Sequence, residues 1–178
     1  MKKNPTKVII PCRFSYLYCW EPSSVNGGEP KYSVSAIIPK SDKHTLSLIK
    51  AAIEQAKQDA LSKWGGKIPA NLKSPLRDGD IDRPDDPAYQ DAYFINANSR
   101  QQPQIVDAAV QTILDQSEVY SGCFGRISCT FFGYNSNGNR GIAAGLGNIQ
   151  KLSDGEPLGG RSNARDEFTS EDDEDLLN

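Results

Sequence analysis

One stretch of the chain combines aromatic and cationic side chains in a regular order. Residues 124–134 read FGRISCTFFGY, and a β-strand turns successive side chains to opposite faces. One face would carry Ile127, Cys129 and Phe131, which suits a hydrophobic core. Aromatic rings stack on the bases of single-stranded nucleic acids and cations contact their phosphates, so the other face predicts a binding surface of that kind. This second face would carry Phe124, Arg126, Ser128, Thr130, Phe132 and Tyr134.

Aromatic and basic side chains in other parts of the chain could belong to the same nucleic-acid-binding surface. The rings predicted to stack on bases are Tyr16, Trp20, Tyr93, Phe132 and Tyr134. The cations predicted to contact phosphates are Arg13, Lys31, Arg126, Arg140 and Lys151. A second interpretation stays open, in which the outer aromatic rings pack against another layer of protein, such as a helix or the second copy of a homodimer.

A dense run of aspartates, at 78–86, raises two further possibilities. Counted as a calcium loop from Asp78, its sixth position is Arg83 rather than glycine and its twelfth is Tyr89 rather than glutamate, so that signature fails. A metal-dependent nuclease that uses this carboxylate cluster stays open as an alternative function. We favour aspartates that form side-chain turns in a long loop, with Arg77 and Arg83 paired to them.

Other catalytic and metal-binding signatures are missing from the sequence. His44 is the only histidine, and no Walker loop, GxGxxG, GxSxG or HExxH motif occurs. No Cys-x-x-Cys motif occurs either. Cys12 and Cys129 lie on the apolar faces of their strands and are most simply buried, and free thiols agree with a reducing compartment. The sequence therefore predicts no enzyme, no cofactor and no metal site. The cysteines are Cys12, Cys19, Cys123 and Cys129.

Charge is distributed very unevenly along the chain. The formal net charge is −3, yet all 20 Lys and Arg residues lie at or before Arg165. Residues 1–165 therefore carry +4 and residues 166–178 carry −7. A tethered acidic segment can compete with nucleic acid for a basic surface, whereas the simpler interpretation is a solubility device. The seven acids are Asp166, Glu167, Glu171, Asp172, Asp173, Glu174 and Asp175.

The first half of the chain predicts two strands followed by a long helix. Residues 6–17 alternate in polarity, with Val8, Ile10, Cys12, Phe14 and Tyr16 on one face, and Pro11 requires a sheet edge or a bulge. Residues 21–30 form a loop, and 32–38 form the second strand with Lys31, Ser33 and Ser35 on its outer face. The period then changes at Ser41 and Asp42, which predicts an amphipathic helix that ends at Trp64, before Gly65.

The second half predicts more strands and a hairpin. Residues 92–96 form a strand, while 103–114 fit either a strand or a short helix. Residues 135–141 suit a hairpin turn between the 124–134 strand and a glycine-rich return strand. Short antiparallel strands with one long helix predict a mainly β fold, an OB-type five-stranded antiparallel barrel with extended loops. The expected domains are a barrel at 1–152, a linker at 153–165 and an acidic disordered tail at 166–178.

Several short motifs also resemble the bacteriophage single-stranded DNA-binding proteins with an OB fold. They are Arg13-Phe-Ser-Tyr16, Pro30-Lys-Tyr-Ser-Val-Ser35, Ile38-Pro-Lys-Ser-Asp42, Pro75-Leu-Arg-Asp-Gly-Asp80, the 135–142 turn, Leu146-Gly-Asn-Ile-Gln150 and Asp154-Gly-Glu-Pro-Leu-Gly-Gly160. The resemblance spans nearly the whole chain. It implies a protein that protects single-stranded DNA during phage replication or recombination, with a tail that recruits replication or recombination proteins. No signal peptide or apolar run of membrane length occurs, so we expect it in the host cytoplasm.

Overall fold

The computed structural model describes residues 5–24 and 27–158, and the predicted acidic tail lies outside this range. Within it the chain forms seven strands and two α-helices. Three short 3-10 helices, Leu61–Trp64, Pro87–Tyr89 and Gln116–Glu118, connect them. The strands and α-helices are β1 (Lys7–Ser23), β2 (Lys31–Pro39), α1 (Lys43–Asp59), β3 (Leu76–Asp78), α2 (Gly79–Asp82), β4 (Ala92–Ser99), β5 (Ile105–Val106), β6 (Phe124–Ser136) and β7 (Asn139–Ser153).

Five of the strands close into a barrel, in which the long strand β1 pairs with two neighbours. The first half of β1 pairs with β6 and its second half with β2, while β2 pairs with β4 and β6 with β7, all antiparallel. A parallel contact between β4 and β7, at Ala97 and Ala144, closes the ring. The predicted OB-type barrel with one long helix is confirmed. Its parallel closure brings together strands that are distant in sequence, so alternation alone did not reveal it.

The long helix α1 begins where the sequence predicts and ends one turn earlier. The Asp42 side chain accepts a hydrogen bond from the Thr45 backbone N–H at 3.2 Å, which caps the first turn. The α-helix ends at Asp59, and Leu61–Trp64 continues as a tighter 3-10 turn, so the prediction through Trp64 was wrong in its last turn. The Trp64 indole N–H donates to the Tyr134 carbonyl at 3.0 Å, which ties this turn to β6.

Strand β1 accommodates Pro11 because one side of the strand is unpaired there. The Phe131 N–H donates to the Thr6 carbonyl at 2.9 Å, so even-numbered residues of this half bond to β6. The nitrogen of Pro11 therefore points away from β6, and the ladder to β2 begins only at Arg13. Pro11 thus lies at a local edge, which confirms the prediction.

The main core fills the barrel and the interface with α1. The predicted inner faces are confirmed at Val8, Ile10, Phe14, Ile127 and Phe131, which are all buried, but the prediction was wrong at Tyr16, which is exposed. All four cysteines are free and buried, which confirms the burial predicted for Cys12 and Cys129. Burial raises the pKa of the Cys19 and Cys129 thiols to about 12, because a thiolate is poorly solvated in the core.

A second, smaller apolar cluster lies outside the barrel, on β2 and β4. Residues Ile37 and Phe94 point outward and are covered by Tyr89, whose ring meets Phe94 edge-to-face at 5.0 Å. The Tyr89 hydroxyl donates to Ser35 Oγ at 2.8 Å, so Ser35 is buried rather than solvated as its strand pattern suggested. The segment that follows β3 is therefore a cover for this face of the sheet.

The aspartate run forms the turns that the sequence predicts. The Asp78 side chain accepts from the Asp80 N–H at 2.9 Å, and Asp86 accepts from the Ala88 N–H at 3.0 Å. Arg77 pairs with Asp82 at 3.0 Å, as expected, whereas the predicted pairing of Arg83 with an aspartate was wrong. The guanidinium of Arg83 lies over aromatic rings instead.

The remaining segments follow the sequence in part. Residues 105–106 form the short strand β5 on β7, and no helix occurs within 103–114. Asn137 and Gly138 have φ of 51° and 87°, the left-handed pair that a two-residue hairpin turn requires. The predicted hairpin is therefore confirmed. Across residues 5–24 and 27–158 we find no helix of the length and apolarity that a membrane crossing requires.

Candidate nucleic-acid interface

An irregularity in β1 brings two tyrosines to the surface. The register of β1 against β2 shifts between Ser15 and Tyr18, and Tyr16 has φ of 45°, which is uncommon for a residue other than glycine. Strict alternation would direct Tyr16 inward with Phe14, yet its side chain is 52% exposed and that of Tyr18 is 44% exposed. The bulge therefore exposes two aromatic side chains, Tyr16 and Tyr18, on one strand.

These tyrosines line an open cleft of about 1190 Å³. Its floor is the 15–18 segment of β1, and its walls come from two loops that carry Ala88 and Tyr120. The volume exceeds the roughly 300 to 1,000 Å³ typical of small-molecule pockets, so the cleft suits a longer ligand. Its lining residues are Ser15, Tyr16, Leu17, Tyr18, Asp86, Ala88, Ser117, Tyr120, Ser121, Pro157 and Leu158.

Small polar side chains continue the surface from Tyr18 across the sheet. Tyr18 lies opposite Ser33 of β2, and Ser33 lies opposite Asn98 of β4. Asn98 is exposed and Ser33 is half-buried, so this row faces solvent. We did not single out Tyr18, Ser33 or Asn98 as site residues from the sequence. The available signal was the pair Asn96 and Asn98, which alternates outward in an otherwise apolar strand.

Lys31 lies at one end of this polar surface. It pairs with Ser23 of β1, close to the loop that joins β1 to β2. Arg100 follows β4, whose Ser99 pairs with Tyr32, and its guanidinium bonds the Glu29 carboxylate at 3.2 Å on an exposed surface. Such an exposed ion pair contributes little to stability, so Arg100 can exchange Glu29 for a phosphate at small cost.

A second candidate surface lies on the outward face of β6, as predicted. Phe132 is 47% exposed and pairs with Ala143, so no bulky side chain of β7 stands beside it. The Arg126 guanidinium donates to Gln150 Oε1 at 2.9 Å and lines a pocket of about 300 Å³ together with Lys7 and Ile9. Lys7 has no ion-pair partner in the described part of the chain.

The hairpin places two predicted contacts on different faces. Tyr134 pairs with Gly141 and shares the face of Phe132, whereas Arg140 pairs with Asn135, whose side chain bonds the Lys63 carbonyl at 3.1 Å on the opposite face. The structure therefore brings Tyr134 together with Phe132. It does not place Arg140 on the same face.

Four other predicted contacts are already engaged within the protein. The Arg13 guanidinium donates to the carbonyls of Gly122 at 2.9 Å and Glu156 at 2.7 Å, and Trp20 donates to the Val119 carbonyl at 3.2 Å. These bonds join β1 to segments 99 to 143 residues later in the chain. They give Arg13 and Trp20 structural roles that sequence alternation does not reveal.

Lys151 and Tyr93 also have partners in the fold. Lys151 bonds the Asp154 carboxylate at 2.6 Å, which raises the pKa of Lys151 and lowers that of Asp154. The Lys40 ammonium lies 5.3 Å from the Tyr93 ring centroid. Since Tyr93 packs against the core, only part of its ring is available to a ligand.

The carboxylates of the aspartate run are likewise occupied. Lys40 bonds Asp78 at 2.8 Å and Asp80 at 2.7 Å, and these bonds raise the pKa of Lys40 and lower that of Asp80. No group of three potential metal ligands occurs within residues 5–24 and 27–158. This geometry favours the turn interpretation over a nuclease site.

The charge of the described part is balanced. Residues 5–24 and 27–158 contain 16 basic and 16 acidic side chains. The excess of four cations predicted for residues 1–165 comes from Lys2, Lys3, Arg161 and Arg165, which lie outside the described range. Within this range, aromatic and polar side chains rather than net charge distinguish the cleft.

The closed five-stranded barrel with an open aromatic cleft defines an OB-fold protein of the type that binds oligomeric ligands. The family model of the Enterobacter phage Enc34 ssDNA-binding protein matches residues 6–177. The chain belongs to this family, which confirms the resemblance to phage single-stranded DNA-binding proteins.

Individual relatives agree in length and fold. Putative protein p50 of Acyrthosiphon pisum secondary endosymbiont phage 1 is 29% identical, over 93% of this chain and 95% of the relative. The bacteriophage Enc34 protein, solved in complex with ssDNA, is 25% identical with a TM-score of 0.78, over 89% of this chain and 97% of that chain. The bacteriophage T7 single-stranded DNA-binding protein gp2.5 shares the fold, with a TM-score of 0.60 at 15% identity over 93% of this chain and 97% of that chain.

Proposed function

We propose that this protein binds single-stranded DNA without a strong sequence preference and without catalysis. Its role would be to protect single strands during phage DNA replication or recombination in the host cytoplasm. Membership of a family described as ssDNA-binding supports the ligand. A relative that is 25% identical over most of both chains was solved with ssDNA bound, which supports the same assignment.

The observation that carries this proposal is the exposed pair Tyr16 and Tyr18 on the floor of the large cleft. Every base has a π-face, so stacking on these rings is tolerant of sequence. The row of Ser33 and Asn98 beside Tyr18 offers hydrogen bonds to bases or sugars. Lys31 and Arg100 supply positive charge near the end of the row, where the phosphates would pass.

The domain organisation follows from the same proposal. We take 1–152 as the binding domain, 153–165 as the linker and 166–178 as the acidic tail. The beginning of the linker is anchored, since the Leu158 N–H donates to the Ser121 carbonyl at 2.9 Å and Leu158 lines the cleft. The proposed tail begins eight residues after Leu158 in the sequence, and so short a tether would let it compete with DNA at the cleft and recruit replication or recombination proteins once DNA displaces it.

An assembly role is the second candidate, and one feature favours it. Three apolar side chains near β5 and β6 are strongly exposed: Ile9 at 52%, Val110 at 67% and Leu114 at 88%. Exposed apolar groups are typical of protein interfaces, including that of a homodimer. None of these three residues lines the cleft, so both functions are compatible with one chain.

A gel shift with a single-stranded oligonucleotide, with and without Mg²⁺, separates the candidates. We expect a retarded band and intact DNA in both conditions. Absence of a shift would favour an assembly role, and shortened DNA with Mg²⁺ would favour a nuclease. Tyr18→Ala should weaken binding about tenfold, since one stacked base contributes about 1 to 3 kcal/mol. Leu114→Ala, at an exposed site outside the cleft lining, is the matched control and should bind normally.

A further inference from the structure

The ring of Tyr16 borders two cavities of different character. It lines the large cleft, and it also lines a smaller pocket of about 430 Å³. Arg83 lines only the smaller pocket, and its guanidinium carbon lies 5.3 Å from the Tyr16 ring centroid. One side of Tyr16 is thus occupied by Arg83, and the side toward the cleft is open.

Arg83 is itself held in place by buried aromatic rings. Its guanidinium carbon is 5.5 Å from the Tyr89 centroid and 5.6 Å from the Phe94 centroid, and both rings are fully buried. Its backbone is fixed as well, because its N–H donates to the Gly79 carbonyl at 2.9 Å and its carbonyl accepts from Asp86 at 3.1 Å. Arg83 therefore connects a rigid cluster to an exposed tyrosine.

The charges around Arg83 argue against a phosphate at this position. Asp82, Asp85 and Asp86 line the same small pocket, so its three carboxylates outnumber its one cation. Asp82 is engaged by Arg77, and none of the three lies within ion-pair distance of Arg83 in the described residues. A phosphate in this pocket would meet net negative charge, whereas the guanidinium is stabilised there.

We propose that Arg83 is a positioning residue that fixes the orientation of the Tyr16 ring. The face of the ring that points to the cleft can then stack on one unpaired base. The base stacks on the open face while Arg83 covers the other, which limits the conformational freedom lost on binding. This inference rests on the proposed function, since it requires single-stranded DNA in the cleft. It assigns Arg83 a role through Tyr16 rather than a direct contact with the DNA.

A double-mutant cycle tests the coupling between the two residues. Arg83→Ala should weaken binding of an oligo(dT) strand about threefold, in line with an exposed cation–π contact. In a Tyr16→Ala background the same substitution should weaken binding by less than about 1.5-fold, because the ring that Arg83 supports is gone. Arg83→Lys, which keeps a cation, should restore part of the loss.

Salt dependence distinguishes positioning from a phosphate contact. If Arg83 acts through Tyr16, the slope of log affinity against log salt stays unchanged in Arg83→Ala. A slope smaller by about 0.7 would show a phosphate contact and overturn the proposal. Equal affinity of Arg83→Ala and the parent protein, or additive effects of the two substitutions, would also overturn it.

The folded state and the proposed function are checked in the same experiment. Thermal melting of each variant identifies any that unfold, and Arg83→Met then replaces Arg83→Ala, because its chain keeps apolar packing over Tyr89 and Phe94. Quenching of a 2-aminopurine in the oligonucleotide reports stacking directly, and it should fall in Arg83→Met. If the parent protein itself binds no single-stranded DNA, the proposed function fails. If it binds and Arg83→Met quenches normally, only the role of Arg83 fails.

Discussion

Two adjacent phenylalanines of β6 have opposite environments. Phe131 is buried in the barrel, whereas Phe132 is 47% exposed on the outer face. Their side chains have the same volume and the same apolar character, so position on the strand alone separates their roles. A large exposed ring beside the small residues Ala143 and Gly145 is more costly to solvate than a polar side chain, which is consistent with a ligand-binding role.

The two phenylalanines give a matched pair of substitutions. Phe132→Ala should weaken single-strand binding about tenfold, the effect of about one lost stacking contact, and leave the melting temperature nearly unchanged. Phe131→Ala should lower the free energy of unfolding by about 3 to 5 kcal/mol through the cavity it leaves. Titrations with fluorescent oligonucleotide and denaturant unfolding measure the two effects. Normal binding by a Phe132→Ala protein that melts early would place its ring in the core instead.

The buried thiols predict a loss of stability at high pH. The pKa of Cys19 and of Cys129 is about 12 in the folded protein, against about 9 for a solvated thiol. A raised pKa means that the fold favours the neutral thiol, so this contribution is complete below about pH 9 and is lost as pH rises toward 12. The urea midpoint should therefore fall between pH 8 and pH 10.5.

A variant separates the thiols from other groups that titrate at high pH. Cys19→Ala combined with Cys129→Ala removes both thiols at small volume cost, so its midpoint should fall less between the same two pH values. Tyrosines and lysines are common to both proteins and cancel in the comparison. An identical fall in the two proteins would show that Cys19 and Cys129 do not contribute, since the buried thiols of Cys12 and Cys123 remain in both.

At the scale of the elements, alternation predicted the strands and the helix because each buries one face. Val8 to Phe14 of β1 and Leu46 to Ala56 of α1 show this pattern clearly. Features that depend on distant partners did not follow from it. The bulge at Tyr16 depends on the pairing of β1 with β2, and Arg13 bonds carbonyls at 122 and 156. Arg13 therefore fits the predicted strand, and its predicted phosphate contact would have to compete with these two bonds.

The cover on β2 and β4 shows the same limit for the candidate site. Alternation predicted that Ser35 lies on a solvated face. Tyr89, which is 54 residues later in the chain, packs over Ser35 and buries it. Two of the exposed aromatic rings, Tyr16 and Tyr18, are on a strand whose parity changes at the bulge. Types of residue could thus be predicted from sequence, while their exposure required the tertiary pairing.

Gly133 of β6 makes a close contact possible between the barrel and the 3-10 turn that follows α1. A methyl group on Gly133 would overlap the Ala60 side chain and lie 2.9 Å from the Trp64 ring. Gly133→Ala should therefore lower the free energy of unfolding by about 1 to 3 kcal/mol. Gly145→Ala on the neighbouring strand is the matched control, because its methyl group would lie 3.4 Å or more from other atoms. Denaturant unfolding checks both, and an equal cost for the two would contradict this account of the contact.

At the scale of the whole molecule, charge is separated along the sequence. The described residues are neutral overall, and the last thirteen residues carry −7. The described residues, with no net charge, attract DNA only weakly over long range, so we expect stacking to supply much of the affinity. A tail that competes with DNA, as proposed, would oppose only this modest attraction, so its effect on binding should depend on salt.

Deletion of residues 166–178 tests the role of the tail. Leu158 lines the cleft, so a segment with seven acids starts eight residues from it and is held there at about millimolar effective concentration. Its removal should tighten single-strand binding, most at 0.01 M salt, where the Debye length is about 30 Å. A tail with the seven acids changed to Asn or Gln keeps the length and should bind as tightly as the truncated protein, because charge rather than bulk competes with DNA. Equal affinity of full-length and truncated protein at low salt would rule out competition, and a pull-down of replication proteins with each form would then test recruitment by itself.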